Sequence, residues 1–312
     1  MTTSVRQDVL TAPRAPDGTA AFDRAIATSP WRSALGVLAR DPSAIVGMCI
    51  LLVLALTALA APVVAPYDPR AQPDILALKH LPPSLGHPFG TDYLSRDVLS
   101  RIVYGSRVSL SVAFLSVVVA ATIGMGYGAI AGYVGGKLDN VMMRVVDALL
   151  SIPRVLLLIA VAALWWDKLG LPGLVLLLGL TGWFEVSRLV RALVLSARED
   201  EFVTAARALG ATDTRILVHH VLPQVVSPVL VAATLAIGNV IVIEAGLTYL
   251  GMGVRPPNAS WGSIFNDGMR DVAGAWWVSV SAGAALVITV LAVNLVADGL
   301  RQALNARQLP AR

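Results

Sequence analysis

The sequence is short of charge. Asp, Glu, Lys and Arg make up 14% of its 312 residues, where a soluble domain carries about 25%. Lysine is almost missing, with Lys79, Lys137 and Lys168 set against 21 arginines spread along the chain. One cysteine, Cys49, excludes an internal disulfide, and its place in an apolar run gives no sign of redox chemistry. The histidines, His80, His87, His219 and His220, form no Cys/His cluster, so no metal site is expected. The same scarcity argues against a polytopic membrane enzyme, which needs nucleophiles and acid–base groups gathered near one interface. A net charge of +4 asks for no nucleic-acid partner.

What the chain has is apolar length. Hydrophobic residues make up 56% of it, and a bilayer core of about 30 Å needs roughly 20 of them in one helix. Ala44–Pro66, Val108–Val134 and Ala275–Ala297 meet this without a charge, and Val225–Leu250 with Glu244 alone. Leu138–Trp166 is interrupted by Arg144, Asp147 and Arg154, and Leu171–Arg198 by Glu185, Arg188 and Arg191. The pattern predicts an all-α integral membrane protein of six transmembrane helices, in contact with lipid. Small residues at Ala58–Ala61 resemble a signal-peptide cleavage site, but the polar stretch before them is too long for a secretory leader.

Arginine and lysine in the flanks set the orientation. With both termini inside, Arg6, Arg14, Arg24, Arg32, Arg40, Lys137, Arg198, Arg207, Arg215, Arg301, Arg307 and Arg312 lie on the cytoplasmic side. Fewer lie outside: Arg70, Lys79, Arg96, Arg101, Arg107, Lys168, Arg255 and Arg270. The expected division is a cytoplasmic tail over 1–43, a first transmembrane helix over 44–66 and an outer loop over 67–107. A core of five transmembrane helices follows over 108–304, then a tail over 305–312. The outer loop is expected to end in a short helix near Ser95–Tyr104, and the loop over 251–274 to hold an amphipathic stretch around Trp261.

Gly124, Gly128, Gly132 and Gly136 recur every fourth residue. On one helix they stack into a groove that admits a neighbouring backbone, which predicts helix packing. Gly135, Gly136 and Lys137 lack the spacing of a phosphate loop, so no nucleotide site is expected here.

The stretch 199–224 is too polar for lipid. It reads as two short helices broken at Gly210, whose residue type suits a left-handed helix end. Thr212 or Asp213 is placed to cap the second helix, and Pro223 precedes the next span. A helix–glycine–helix elbow on the cytoplasmic face suits docking in a partner's groove. It resembles the coupling-loop motif of bacterial ABC-importer permeases, Glu-Ala-Ala-x3-Gly-x9-Ile-x-Leu-Pro. Ala205, Ala206, Gly210, Leu222 and Pro223 match it; Thr204 stands at the glutamate position and His220 at the isoleucine.

The resemblance extends over about residues 85–307 and narrows to the second, C-type permease of the dipeptide/oligopeptide/nickel branch. His87–Arg101, Glu244–Gly253, Ser260–Gly262 and Asn294–Arg301 carry it, while Asn305, Ala306 and Arg307 depart from its usual Asp-Pro-Arg. It implies a type I ABC-importer permease fold in a bacterial inner membrane. It also implies a second homologous permease, two cytoplasmic ATPase domains that bind ATP and Mg, and an external substrate-binding protein. No cofactor is then expected on this chain. Peptides are the implied cargo, with nickel or another small solute as the alternative. An ion-gradient-driven carrier is the alternative of another class, but it leaves the elbow unexplained.

Intramembrane charges are expensive and should face a partner or the lumen. Arg144 with Asp147, and Glu185 with Arg188, have the i, i+3 spacing of local ion pairs. Arg154, after Pro153, has no obvious partner and is a candidate to face the lumen and steer a peptide carboxylate. Glu185 and Glu244 are further candidates for lumen or gating roles.

Overall fold

The computed structural model describes Gly36, residues 38–165 and residues 170–305. Arg6, Arg14, Arg24, Arg32, Lys168, Ala306, Arg307 and Arg312 lie outside the described residues. The chain there is helical throughout its apolar segments.

Helix α1 (Pro42–Leu59) starts where Asp41 caps it, its carboxylate accepting from the Ser43 amide at 2.9 Å, with proline in the first turn. It stops at Ala60, earlier than the expected Pro66. A separate short turn, α2 (Ala61–Val64), carries the chain onward. An irregular outer segment follows. Helix α3 (Val98–Val134) opens at Asp97, whose carboxylate accepts from the Ser100 amide at 2.7 Å. The short helix expected near Ser95–Tyr104 is therefore the first turns of this span. At 37 residues it is about 55 Å long, well over the thickness of a hydrocarbon core.

The third apolar segment is not one straight span. Helices α4 (Gly136–Leu150) and α5 (Arg154–Trp165) meet at an angle of 77°. The break falls at Ser151–Pro153, where the proline ring and its missing N–H cannot continue the ladder. Helix α6 (Gly170–Ala197) returns to the cytoplasmic side. There α7 (Glu201–Ala208) and α8 (Asp213–Ile216) form the elbow. A π-helical turn over Leu217–Val221 then joins α8 to α9 (Leu222–Tyr249). Helix α10 (Trp261–Met269) lies on the outer side, and α11 (Val272–Asn305), the last described helix, has a kink at Ala275. Among the described residues, five helices are long and apolar enough to cross a membrane, six if α4 and α5 form one span.

The closest packing is between α3 and α6. A Cβ placed on Gly124 would lie 2.6 Å from Cβ of Val186, one on Gly128 2.3 Å from the Ser187 carbonyl oxygen, and one on Gly132 2.8 Å from the Arg191 carbonyl oxygen. Gly136 is not part of this groove, because α3 ends at Val134 and nothing lies within 4 Å of its Cβ position. Substitution Gly128→Ala should therefore push two backbones apart and cost about 2 kcal/mol. Gly126, on the open side of the same helix, should accept alanine without loss. Thermal unfolding of the two detergent-purified variants separates these outcomes, and equal stability would refute the packing account. At the cytoplasmic end, Asp139 and Arg191 add a two-pronged ion pair between α4 and α6, at 2.5 and 2.6 Å.

Candidate functional site

The elbow owes its shape to three local choices. Alanines at 205, 206 and 208 favour helix. Gly210 takes φ +82°, where nothing crowds its Cβ position, and its amide donates to the Arg207 carbonyl at 3.0 Å while the Ala211 amide donates to the Ala206 carbonyl at 3.1 Å. Thr212 then caps α8, its hydroxyl accepting from the Arg215 amide at 3.4 Å. Val203, Ala206 and Ile216 are buried against α6 and α9 residues such as Val194 and Val225. Thr204, Ala205, Ala208 and Gly210 face outward, and Leu209 is 89% exposed. The elbow is fastened to α3 by the Tyr133 hydroxyl, which donates to Asp213 at 2.9 Å.

The far limb of the elbow differs from the expectation of a separate second helix ahead of the span. Through the π turn, α8 runs straight into α9, with Leu222 half-buried and Pro223 exposed in the first turn. His220 sits inside this π turn with its Nδ1 buried and unpartnered among the described residues.

At the opposite end of α9, Glu244 is fully buried. Its carboxylate accepts from the Ser109 hydroxyl of α3 at 3.2 Å and from the Thr248 hydroxyl at 2.8 Å, and the Ser260 side chain also bonds to it. Ser109 in turn accepts from the Trp261 amide at 3.2 Å, and Thr248 from the Val254 amide at 3.1 Å. One acidic side chain thereby ties α3, α9 and the outer loop leading to α10 into a single knot.

Arg154 opens α5, just past the break. Its guanidinium donates to the Leu178 carbonyl at 3.1 Å and to the Thr181 hydroxyl at 3.4 Å, both on α6. Arg154, which has no obvious partner in the sequence, is held by main-chain and hydroxyl oxygens of the neighbouring helix. It lines a cavity of about 140 Å³ between α3, α6 and α9, together with Glu185, Ser116 and Asn239. The expected i, i+3 pairs are replaced as well. Arg188 approaches Asp147 of α4 at 4.0 Å, across helices rather than along one.

Residues 124–309 match the family described as the binding-protein-dependent transport system inner membrane component. Residues 29–83 match the N-terminal transmembrane domain of oligopeptide transport permease C. The chain belongs to this family of permeases. The permease is 37% identical over 285 residues to the dipeptide transport system permease protein DppC of Alkalihalophilus pseudofirmus, covering 91% of this chain and 92% of that protein. It is 35% identical over 279 residues to the oligopeptide transport system permease protein OppC of Bacillus subtilis, covering 89% and 90%. Among solved structures it superposes on a chain of the inward-facing MetNI methionine ABC transporter with a TM-score of 0.55 and 21% identity, over 66% of this chain and 97% of that one. The fold is that of a type I ABC-importer permease. The permease is a multi-pass inner-membrane protein and a transport subunit, not itself an ATPase.

The bonds of Ser109 and Thr248 to Glu244 leave no mark in the sequence, since a serine and a threonine in apolar helices carry no signal of a partner until Glu244 is placed between them. The Asp139–Arg191 pair is 52 positions apart in sequence and is equally silent. Only the cost of leaving either charge alone near lipid hints that a partner exists.

Proposed function

We propose that this permease is the C-type half of the translocation pore of an ATP-driven peptide importer. The observation that carries the reading is the cytoplasmic elbow. Its outward face is small and apolar at Ala205, Ala208 and Leu209, its turn is fixed by Gly210, and its far limb continues into a span. Two separate ATPase domains would seat this elbow, bind ATP and Mg themselves, and leave this chain with no nucleotide site or cofactor of its own. Their closure would push α8 along α9 and rock the spans between inward- and outward-open states. A second homologous permease completes the pore, and an external binding protein delivers the cargo. Peptide is favoured over nickel because the relatives described above are named for dipeptide and oligopeptide transport.

The experiment is affinity purification of the tagged permease from its native membrane. The reading predicts that two ATPase domains, a second permease and a peptide-binding protein co-purify with it. Recovery without ATPase subunits would refute it.

Within this reading Arg154 and Glu185 are the charges that meet cargo in the membrane, through the cavity they share. Arg154→Ala should slow uptake of an anionic peptide about tenfold more than that of its C-terminal amide, the loss of one charge-assisted contact. Equal slowing of both in a proteoliposome assay would leave Arg154 only the structural bond to Leu178.

A further inference from the structure

The outer face holds a second cavity, of about 560 Å³, which the coupling account does not use. It lies at the Tyr249 end of α9, beside Thr248 and Gly251. The elbow is at the Leu222 end, a helix of about 40 Å away, so the cavity faces outward when the elbow faces the cytoplasm. Five arginines line it: Arg70, Arg96, Arg101, Arg255 and Arg270. A single carboxylate, Asp267, joins them in the lining.

Two of the arginines are fixed in place. Arg96 and Arg101 donate to Asp267 at 2.9 and 2.8 Å, and both reach Asp92 behind the wall at 2.7 and 2.5 Å. The Arg101 side chain is only 4% exposed, yet its Nε has no hydrogen-bond partner among the described residues. Arg70 and Arg270 form no ion pair among the described residues, and Arg270 rests over the Tyr93 ring at 5.6 Å from its centroid. The result is a preformed concave surface with positive charge in excess and forked donors suited to a carboxylate. Its volume falls within the range of sites for small molecules and exceeds what one docked side chain would fill.

We propose that this cavity is an outer acceptor site for the carboxylate end of a short peptide, occupied before cargo enters the membrane. The inference rests on the reading of the permease as a peptide importer, and its test is separable from that reading. Arg70 and Arg270 take the carboxylate and supply the excess positive charge, while Arg96 and Arg101, neutralised by Asp92 and Asp267, hold the wall.

The test uses the assembled transporter in nanodiscs without its binding protein, and saturation-transfer NMR with trialanine, N-acetyl-trialanine and trialanine amide. Both free acids should bind at least about tenfold more tightly than the amide, and a double Arg70→Gln, Arg270→Gln variant should lose that preference. Equal binding of acid and amide would overturn the proposal, as would an unchanged preference in the variant. If no peptide binds but the variant loses ATP turnover stimulated by the binding protein, the cavity is a docking surface and the proposal fails. Uptake of labelled peptide into proteoliposomes by the unmodified complex is scored separately. Uptake without acid-selective binding sinks this inference alone, whereas absence of uptake sinks the importer reading.

Discussion

Gly210→Pro should abolish the stimulated ATP turnover of the assembled complex while leaving the permease in the membrane. Gly210 sits at φ +82° and its amide donates to the Arg207 carbonyl at 3.0 Å. Proline fixes φ near −65° and has no N–H, so it can neither adopt the turn nor keep that bond. The surrounding space is open, which makes the failure local: α7 and α8 separate without disturbing the spans. Gly210→Ala is the graded control. Its Cβ meets nothing, so its cost is the left-handed backbone alone, about 1 kcal/mol, and part of the coupling should survive. Ala206→Glu should match the proline variant by another route, since Ala206 is 9% exposed against the inner cluster and a carboxylate there has no partner in view. Turnover by either proline or glutamate variant at the unmodified rate, with the subunit present in the membrane, would contradict the coupling role.

Glu244→Leu should destabilise the complex by about 3 kcal/mol, because the buried hydroxyls of Ser109, Thr248 and Ser260 lose their shared acceptor. The damage spreads beyond one contact. Ser109 and Thr248 also receive the Trp261 and Val254 amides, so the outer loop loses its anchorage to α3 and α9 together. Glu244→Gln keeps an acceptor of the same shape and should cost about 1 kcal/mol. Thermal unfolding of the purified complex orders the three proteins. If leucine and glutamine variants unfold together with the unmodified complex, Glu244 is not the knot described above.

The spans were legible because lipid imposes a single rule on apolar length, and Val108–Val134 or Ala275–Ala297 satisfy it without charge. The elbow was legible for a different reason: its turn needs a residue that tolerates positive φ, and Gly210 stands where two helix-forming stretches meet. Pro153 marks a kink between α4 and α5, but the size of the bend was not legible, because hydropathy adds residues without regard to direction. The π turn at Leu217–Val221 was invisible, since an extra residue per helical turn leaves no mark on composition. The partners of charged residues were the least legible. Asp147 meets Arg188 rather than Arg144, and Arg101 meets Asp267 from 166 positions away; such pairings depend on how whole helices cross.

The central claim is that this chain passes peptides inward as half of a pore driven by ATP. Reconstitution of the purified complex with its binding protein in proteoliposomes, followed by uptake of a radiolabelled tripeptide, tests it most directly. The account predicts uptake that requires ATP, disappears in Gly210→Pro and is indifferent to an imposed ion gradient. Uptake driven by the gradient without ATP, or unaffected by Gly210→Pro, would contradict it.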